Sequence, residues 1–303
     1  MLWVEISWTD YEIMTDTKLY FGYGSNMDRE DWARWCSDHG AKAAGLIEIG
    51  PAWLPDYTLK FHYFSSKRKS GAADVVPAGR GSVAPGLLFE VDEETLAALD
   101  DKEGLPYAYE RKNVTVIDEN GALKQAITYI VQKHRYSGEY EQPDASYVDL
   151  IQRNLLRNKL PIENLNYAIE DMHDKKFLDS VFVYGTLRRG ESRSNIMTEA
   201  ADGSMEHATV GGTLYNHGMY PGLRTHGNGT VSGELYRCHD IANTLKRLDE
   251  IEGFSAYDGP EGLYHRAVVN VTIGSEQRWA WTYITNLPTP KDSIIESGNW
   301  LER

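Results

Sequence analysis

The chain has 303 residues, about twice the ~150 at which a single domain usually closes, so two domains are expected. Hydrophobic residues make up 41%, with 8 Trp, 19 Tyr and 7 Phe, which excludes a disordered chain or a fibre. The net charge of −14, from 45 acidic and 31 basic side chains, repels phosphate backbones and speaks against nucleic acid as a partner, while it favours cationic small molecules.

Residues 1–17 read as an N-terminal extension. Met1 to Lys18 contains Glu5, Asp10, Glu12 and Asp16, with neither the basic start nor the continuous apolar stretch of a signal peptide, and Met14 is an alternative start. No run reaches the ~18 apolar residues needed to span a bilayer, so a cytoplasmic protein without a membrane partner is expected. Cys36 and Cys238 lack C-x-x-C spacing and read as reduced, buried thiols. His207, His217, His226 and His239 form no H-x-x-x-H pair, and no metal site is expected.

A first domain is expected over residues 18–172. Leu19 to Gly22 is a short apolar strand ending in the loop Tyr23-Gly24-Ser25-Asn26-Met27, after which a helix should start. Lys67-Arg68-Lys69 reads as a solvated loop, and the glycines of Gly79-Arg80-Gly81 lack the Gly-Lys-Ser/Thr ending of a phosphate loop. Gly86-Leu87-Leu88-Phe89 is followed by a helix over Glu93 to Leu99, then Leu99-Asp100-Asp101-Lys102-Glu103-Gly104, Tyr109-Glu110-Arg111 and the strand Ala126 to Ile130. Between Asp144 and Met172, Tyr147, Val148, Leu150, Ile151, Leu155 and Leu156 recur at helical spacing, and Pro161 opens a second helical turn through Leu165 and Ile169. The charged stretch Glu170 to Lys176 reads as the linker, and residues 173–179 join the halves.

The second domain, residues 180–303, repeats the same series. Val181-Phe182-Val183 leads into Tyr184-Gly185-Thr186-Leu187 and a helix. Then come Gly233-Glu234-Leu235-Tyr236, a helix over Ile241 to Leu248, Leu248-Asp249-Glu250-Ile251-Glu252-Gly253, Tyr264-His265-Arg266 and Ala280 to Ile284. Five matches in the same order indicate duplication of one whole domain, not a solenoid. Short strands with few helices predict an α+β fold, each copy a curved or barrel-like mixed sheet with flanking helices.

Two repeated features carry chemistry. The loops Tyr23–Met27 and Tyr184–Leu187 present backbone N–H groups to one point, which suits a carboxylate or phosphate. Either loop alone reads as an ordinary turn, with Ser25 or Asn26 capping a helix. Glu103 and Glu252 each precede Gly and an aromatic-rich strand entry; in apolar surroundings such a carboxyl exchanges a proton near neutral pH. Either alone reads as a solvated acidic turn, and it is their recurrence beside a recurring loop that reverses this and favours a site. Tyr109 and Tyr264 are candidates to offer phenols to the same pockets, whereas Arg111 and Arg266 read as structural ion-pair partners. Ser25 is not in G-x-S-x-G, which argues against a serine hydrolase.

Assembled, these residues resemble the gamma-glutamylcyclotransferase superfamily from about Lys18 to the C-terminus. The first copy is similar to the cyclotransferases proper, through Tyr23-Gly24-Ser25-Asn26-Met27, Gly71-Ala72-Ala73-Asp74-Val75-Val76-Pro77 and Glu103-Gly104. The second is similar to the gamma-glutamylamine cyclotransferase and AIG2-like branch, through Tyr184 to Gly190, Tyr220-Pro221-Gly222 and Gly233 to Tyr236. The resemblance implies release of an amine or peptide from a gamma-glutamyl amide by intramolecular cyclisation to 5-oxoproline. Glu103 and Glu252 would be the general acid/bases, and no cofactor or metal would be needed. It implies substrate contacts from Tyr23, Gly24, Ser25, Asn26, Met27 and Tyr109, and from Tyr184, Gly185, Thr186, Leu187 and Tyr264. The net charge adds an expectation of a cationic amine leaving group. An amidase on the same scaffold, or a non-catalytic gamma-glutamyl or carboxylate-binding module, remains open. Glu103 and Tyr109 are six residues apart but Glu252 and Tyr264 twelve, so the two copies are not expected to choose identical substrates.

Overall fold

The computed structural model describes residues 17–303; the extension read over residues 1–17, with Met14, lies outside the described residues except for Thr17. The first half runs β1 (Lys18–Gly22), α1 (Arg29–His39), β2 (Ile47–Pro55), β3 (Tyr57–Ser65), β4 (Ser70–Pro77), β5 (Val83–Val91), α2 (Glu93–Glu103), β6 (Tyr109–Asp118), β7 (Leu123–Val131), α3 (Ala145–Arg157) and α4 (Glu163–Ile169). The second runs β8 (Ser180–Val183), α5 (Ser194–Ala200), β9 (Ala201–Gly211), β10 (Thr213–Asn216), β11 (Pro221–Arg224), β12 (Thr230–Cys238), α6 (Ile241–Glu252), β13 (Tyr264–Ile273) and β14 (Glu276–Thr285).

Five strands of each half close into a barrel, in the orders β1-β5-β2-β6-β7 and β12-β8-β14-β13-β9. The pairs are antiparallel except for β1 with β7 and β8 with β14, where Tyr20 meets Ile127 and Val181 meets Trp281 in parallel. Closure removes the exposed edges that an open sheet would leave. The hairpins β3–β4 and β10–β11 stand outside the barrels, and the first is the longer, with strands of nine and eight residues against four and four. The α+β class and the repeated barrel-like sheets agree with the sequence.

Both helices carrying the repeated glutamates run further than Leu99 and Leu248, where the sequence reading ends them. They begin at Asp92 and Asp240, whose carboxylates accept from Thr95 N at 2.7 Å and Asn243 N at 3.0 Å. They end at Gly104 and Gly253, left-handed at φ 71° and 70°. Glu103 and Glu252 are thus the last helical residues, not residues beyond a helix ending at Leu99 or Leu248. The helix expected directly after Tyr184-Gly185-Thr186-Leu187 is displaced: turns containing left-handed Gly190 intervene, and α5 begins at Ser194.

The apolar core continues from one barrel into the other, where Trp53 of β2 meets the Trp279 ring edge-on at 4.8 Å. Cys36 and Cys238 are buried and free, and burial pushes the Cys238 thiol up to about 11. Among the described residues no helix is long and apolar enough to cross a membrane.

Candidate active site

In the first barrel, β1 delivers Tyr23 and Gly24 to a single 3-10 turn over Ser25–Met27, whose opening amides, those of Ser25 and Asn26, have no partner inside the turn. Asp28 closes the turn by capping α1, accepting from Asp31 N at 2.9 Å. Arg153 and Asn154 of α3 hold the same carboxylate at 2.7 and 2.8 Å, so the helix read from the spacing of Tyr147 to Leu156 clamps the loop.

Glu103 faces this loop. Asn26 Nδ2 donates to Glu103 Oε1 at 2.7 Å and to the Tyr20 hydroxyl at 2.9 Å, while Asn26 Oδ1 is buried without a partner. Burial raises the Glu103 pKa, opposed by the Lys102 charge and the Asn26 hydrogen bond. Both residues line a cavity of about 470 Å³, together with Tyr23, Gly24, Ser25 and Tyr109. Lys67, Arg68, Lys102 and Arg135 also line it, and Glu103 is its single carboxylate.

The second barrel repeats the arrangement with different chemistry. Tyr184, Gly185, Thr186 and Leu187 share a smaller cavity, about 90 Å³, with Glu252, Tyr220 and Tyr264. Leu187 stands at the place of Asn26, so no amide side chain reaches the glutamate. Burial raises the Glu252 pKa from 4.5 to about 7, opposed only by Arg193 at the cavity's edge.

Three expectations change. Met27 is fully buried away from the cavity, and its amide is used within the turn, donating to Gly24 O at 3.2 Å. The phenols of Tyr109 and Tyr264 are not offered to a ligand as donors: they donate to Ala73 O at 2.8 Å and Pro221 O at 2.6 Å, tying each outer hairpin to its barrel. Tyr23 and Tyr184 likewise donate to Tyr129 O at 2.6 Å and Tyr283 O at 2.8 Å, and burial pushes all four phenols up. Arg68, read as part of a solvated loop, is exposed but reaches over the mouth, donating to Ser25 Oγ at 2.8 Å with its guanidinium 4.2 Å above the Tyr147 ring. Nothing in its local sequence marks this, because the β3–β4 hairpin folds Arg68 onto the loop from 43 residues away. Arg193 was missed for a similar reason, since it lies in the turns that displace α5.

The same two segments match one family model, that of gamma-glutamyl cyclotransferase, AIG2-like, over residues 20–149 and 181–302. The chain belongs to this family. One relative is the gamma-glutamylcyclotransferase family protein ytfP of Citrobacter rodentium, 38% identical over 123 residues, covering 41% of this chain and 96% of that protein. Another is the gamma-L-glutamyl-butirosin B gamma-glutamyl cyclotransferase of Niallia circulans, 37% identical over 122 residues, covering 40% of this chain and 73% of that one. Among solved structures, YkqA from Bacillus subtilis aligns over 92% of this chain and 90% of its own, with 18% identity and a TM-score of 0.38.

Proposed function

We propose that this family member is a gamma-glutamylcyclotransferase-type enzyme, releasing an amine or peptide from a gamma-glutamyl amide and forming 5-oxoproline. The observation that carries the reading is that a glutamate with a raised pKa shares one cavity with the amide loop in each barrel. One site is assigned to residues 18–172 and one to residues 180–303, with 173–179 joining them.

In this reaction the substrate's α-amine attacks its own γ-carbonyl, so the ring C–N bond forms as the bond to the leaving nitrogen breaks. The amides of Ser25 and Asn26, or of Thr186 and Leu187, grip the α-carboxylate. The α-ammonium loses two protons in becoming the ring N–H: Glu103 or Glu252 takes the first and returns it to the departing nitrogen, a service typically worth ~10^2–10^4 in rate, and the second leaves with the released amine as its ammonium ion. Asn26 Oδ1, buried and unpartnered, is an acceptor left for the ammonium in the first site. Holding the glutamyl chain bent supplies an effective concentration on the order of 10^5 M or more.

The linings argue for different leaving groups. Four cations around one carboxylate make the first cavity suited to a leaving group that itself carries a carboxylate, as a peptide does. The second cavity holds one Arg and one Glu among aromatic and apolar side chains, and the expectation of a cationic amine passes to it.

Product analysis by mass spectrometry, over a panel of gamma-glutamyl amines and peptides, tests the reading. Glu103→Gln and Glu252→Gln each remove turnover of one substrate set, and the double variant loses 5-oxoproline release by about 10^2-fold or more. Full activity in the double variant overturns the roles of both glutamates. Free glutamate as product points to an amidase, and thermal stabilisation by the same compounds with no product points to a binding module.

A further inference from the structure

The duplication supplies an internal control for how each glutamate-bearing helix is held. Asp100 and Asp249 occupy matching positions, three residues before Glu103 and Glu252. Asp100 is satisfied inside its own barrel: Arg111 donates to it twice, at 2.7 and 2.5 Å, and the Tyr129 hydroxyl once at 2.8 Å. Asp249 keeps the tyrosine, receiving the Tyr283 hydroxyl at 2.6 Å, but not the arginine. Arg266, which matches Arg111, has its Nε 3.8 Å from Asp249, and its Nη2 turns to Asp56 of the first half at 3.4 Å. The short ion pair comes from elsewhere. Arg80, in the β4–β5 connection of the first barrel, donates from Nε to Asp249 Oδ2 at 2.7 Å.

Asp249 is only 3% exposed, and a buried carboxylate without a close cation is costly. The connection that brings Arg80 is seated directly on α6. Gly81, left-handed at φ 86°, has so little room that a Cβ there would meet Ile241 Cγ2 at 3.1 Å. The chain leaving Glu252 is also tied across the halves, because Thr115 of β6 donates to Asp258 at 2.6 Å. Phe254 and Tyr257 of that segment stack on the Arg266 guanidinium, each 5.2 Å away. The longer Glu252–Tyr264 segment is therefore docked on the first barrel, which gives its extra residues a role.

We propose that the second site is completed by the first barrel, with Arg80 as a positioning residue that acts through Asp249 to hold Glu252 in its cavity. Arg80 touches no substrate; it neutralises the carboxylate one helical turn before the proposed acid/base. The inference rests on the reading of Glu252 given above, and one of its two tests does not depend on turnover.

The full chain carrying Glu103→Gln, so that only the second site turns over, is compared with and without Arg80→Ala, using mono-γ-glutamyl-1,4-diaminobutane as the probe, whose leaving group carries the cation expected at this site. The Glu252 carboxyl is followed by carbon NMR of glutamate-labelled protein, its resonance assigned by its loss in Glu252→Gln. In Arg80→Ala water reaches Glu252, and its titration midpoint drops by about one pH unit or more toward the ordinary glutamate range. kcat falls about tenfold or more, as expected for a misplaced catalytic group, while KM moves by less than about twofold. Arg80→Lys, which keeps the charge, restores most of both. An unchanged midpoint with unchanged kcat in Arg80→Ala overturns the proposal. If the Glu103→Gln parent shows no turnover, the acid/base reading of Glu252 fails, and the NMR titration still decides whether Arg80 holds that residue. Should Arg80→Ala not fold, Arg80→Gln carries the same comparison: a lowered midpoint supports the role and an unchanged one removes it.

Discussion

Glu103 and Glu252 hold equivalent positions in very different company. The first is hydrogen-bonded by Asn26 and ringed by cations; the second faces Leu187, with Arg193 alone at the rim. Burial has therefore raised the Glu252 pKa to about 7, and this makes a stability prediction with a definite sign. Below about pH 4.5 the carboxyl is protonated in folded and unfolded chains alike and costs nothing. Between pH 4.5 and 7 the unfolded chain ionises first, so the native state loses stability as pH rises, and the loss is complete above pH 7. The shift corresponds to about 3 kcal/mol, which solvent in the open cavity reduces. Glu252→Gln is thus expected to stabilise the protein by about 1–2 kcal/mol at pH 8 and hardly at all at pH 4, read by urea unfolding at the two pH values. Equal effects at both would show that Glu252 is freely solvated. The repetition of Glu-Gly was legible in the sequence; the Asn26 bridge to Glu103 was not, since 77 residues separate the partners.

At the scale of elements, the repeat keeps what the barrel needs. Gly86 and Gly233 lie tight against the strand that leads into each Tyr-Gly loop. A Cβ at Gly233 would lie 2.5 Å from both the Phe182 ring and the Val183 carbonyl oxygen, and one at Gly86 would lie 2.4 Å from Gly22 O. A backbone oxygen cannot yield as a flexible side chain can. Gly233→Ala should therefore push β12 from β8, just ahead of Tyr184, and cost about 1–3 kcal/mol. Gly211→Ala, where nothing lies within 4 Å of the added Cβ, is the control and should be close to neutral in the same denaturation experiment. The caps at Asp92 and Asp240, with Gly104 and Gly253, explain why the sequence located both helices but stopped them short. The sequence reading ends the helices at Leu99 and Leu248, whereas the backbone continues until a left-handed glycine stops it.

At the scale of the whole molecule, the barrels share a core instead of hanging from a linker. Trp53 is fully buried against Trp279, and the Trp279 indole donates to Lys159 O at 3.2 Å, also across the halves. Trp279→Ala is expected to cost about 2 kcal/mol, since its ring is only partly buried. It should also split one calorimetric transition into two as the barrels uncouple. A single transition that merely moves to lower temperature would mean that the remaining contacts suffice to couple them.

The sequence by itself determined the duplication, the α+β class, the two amide loops and the two glutamates, because each depends on residues close together in the chain and repeated in order. Tertiary structure alone decided which phenols are already committed to backbone carbonyls, that Arg68 reaches over a loop, and that Arg80 in one half balances Asp249 in the other. Those contacts join segments between 36 and 169 residues apart. Local pattern cannot predict them, because which buried carboxylate meets which cation is settled only when the barrels close and pack.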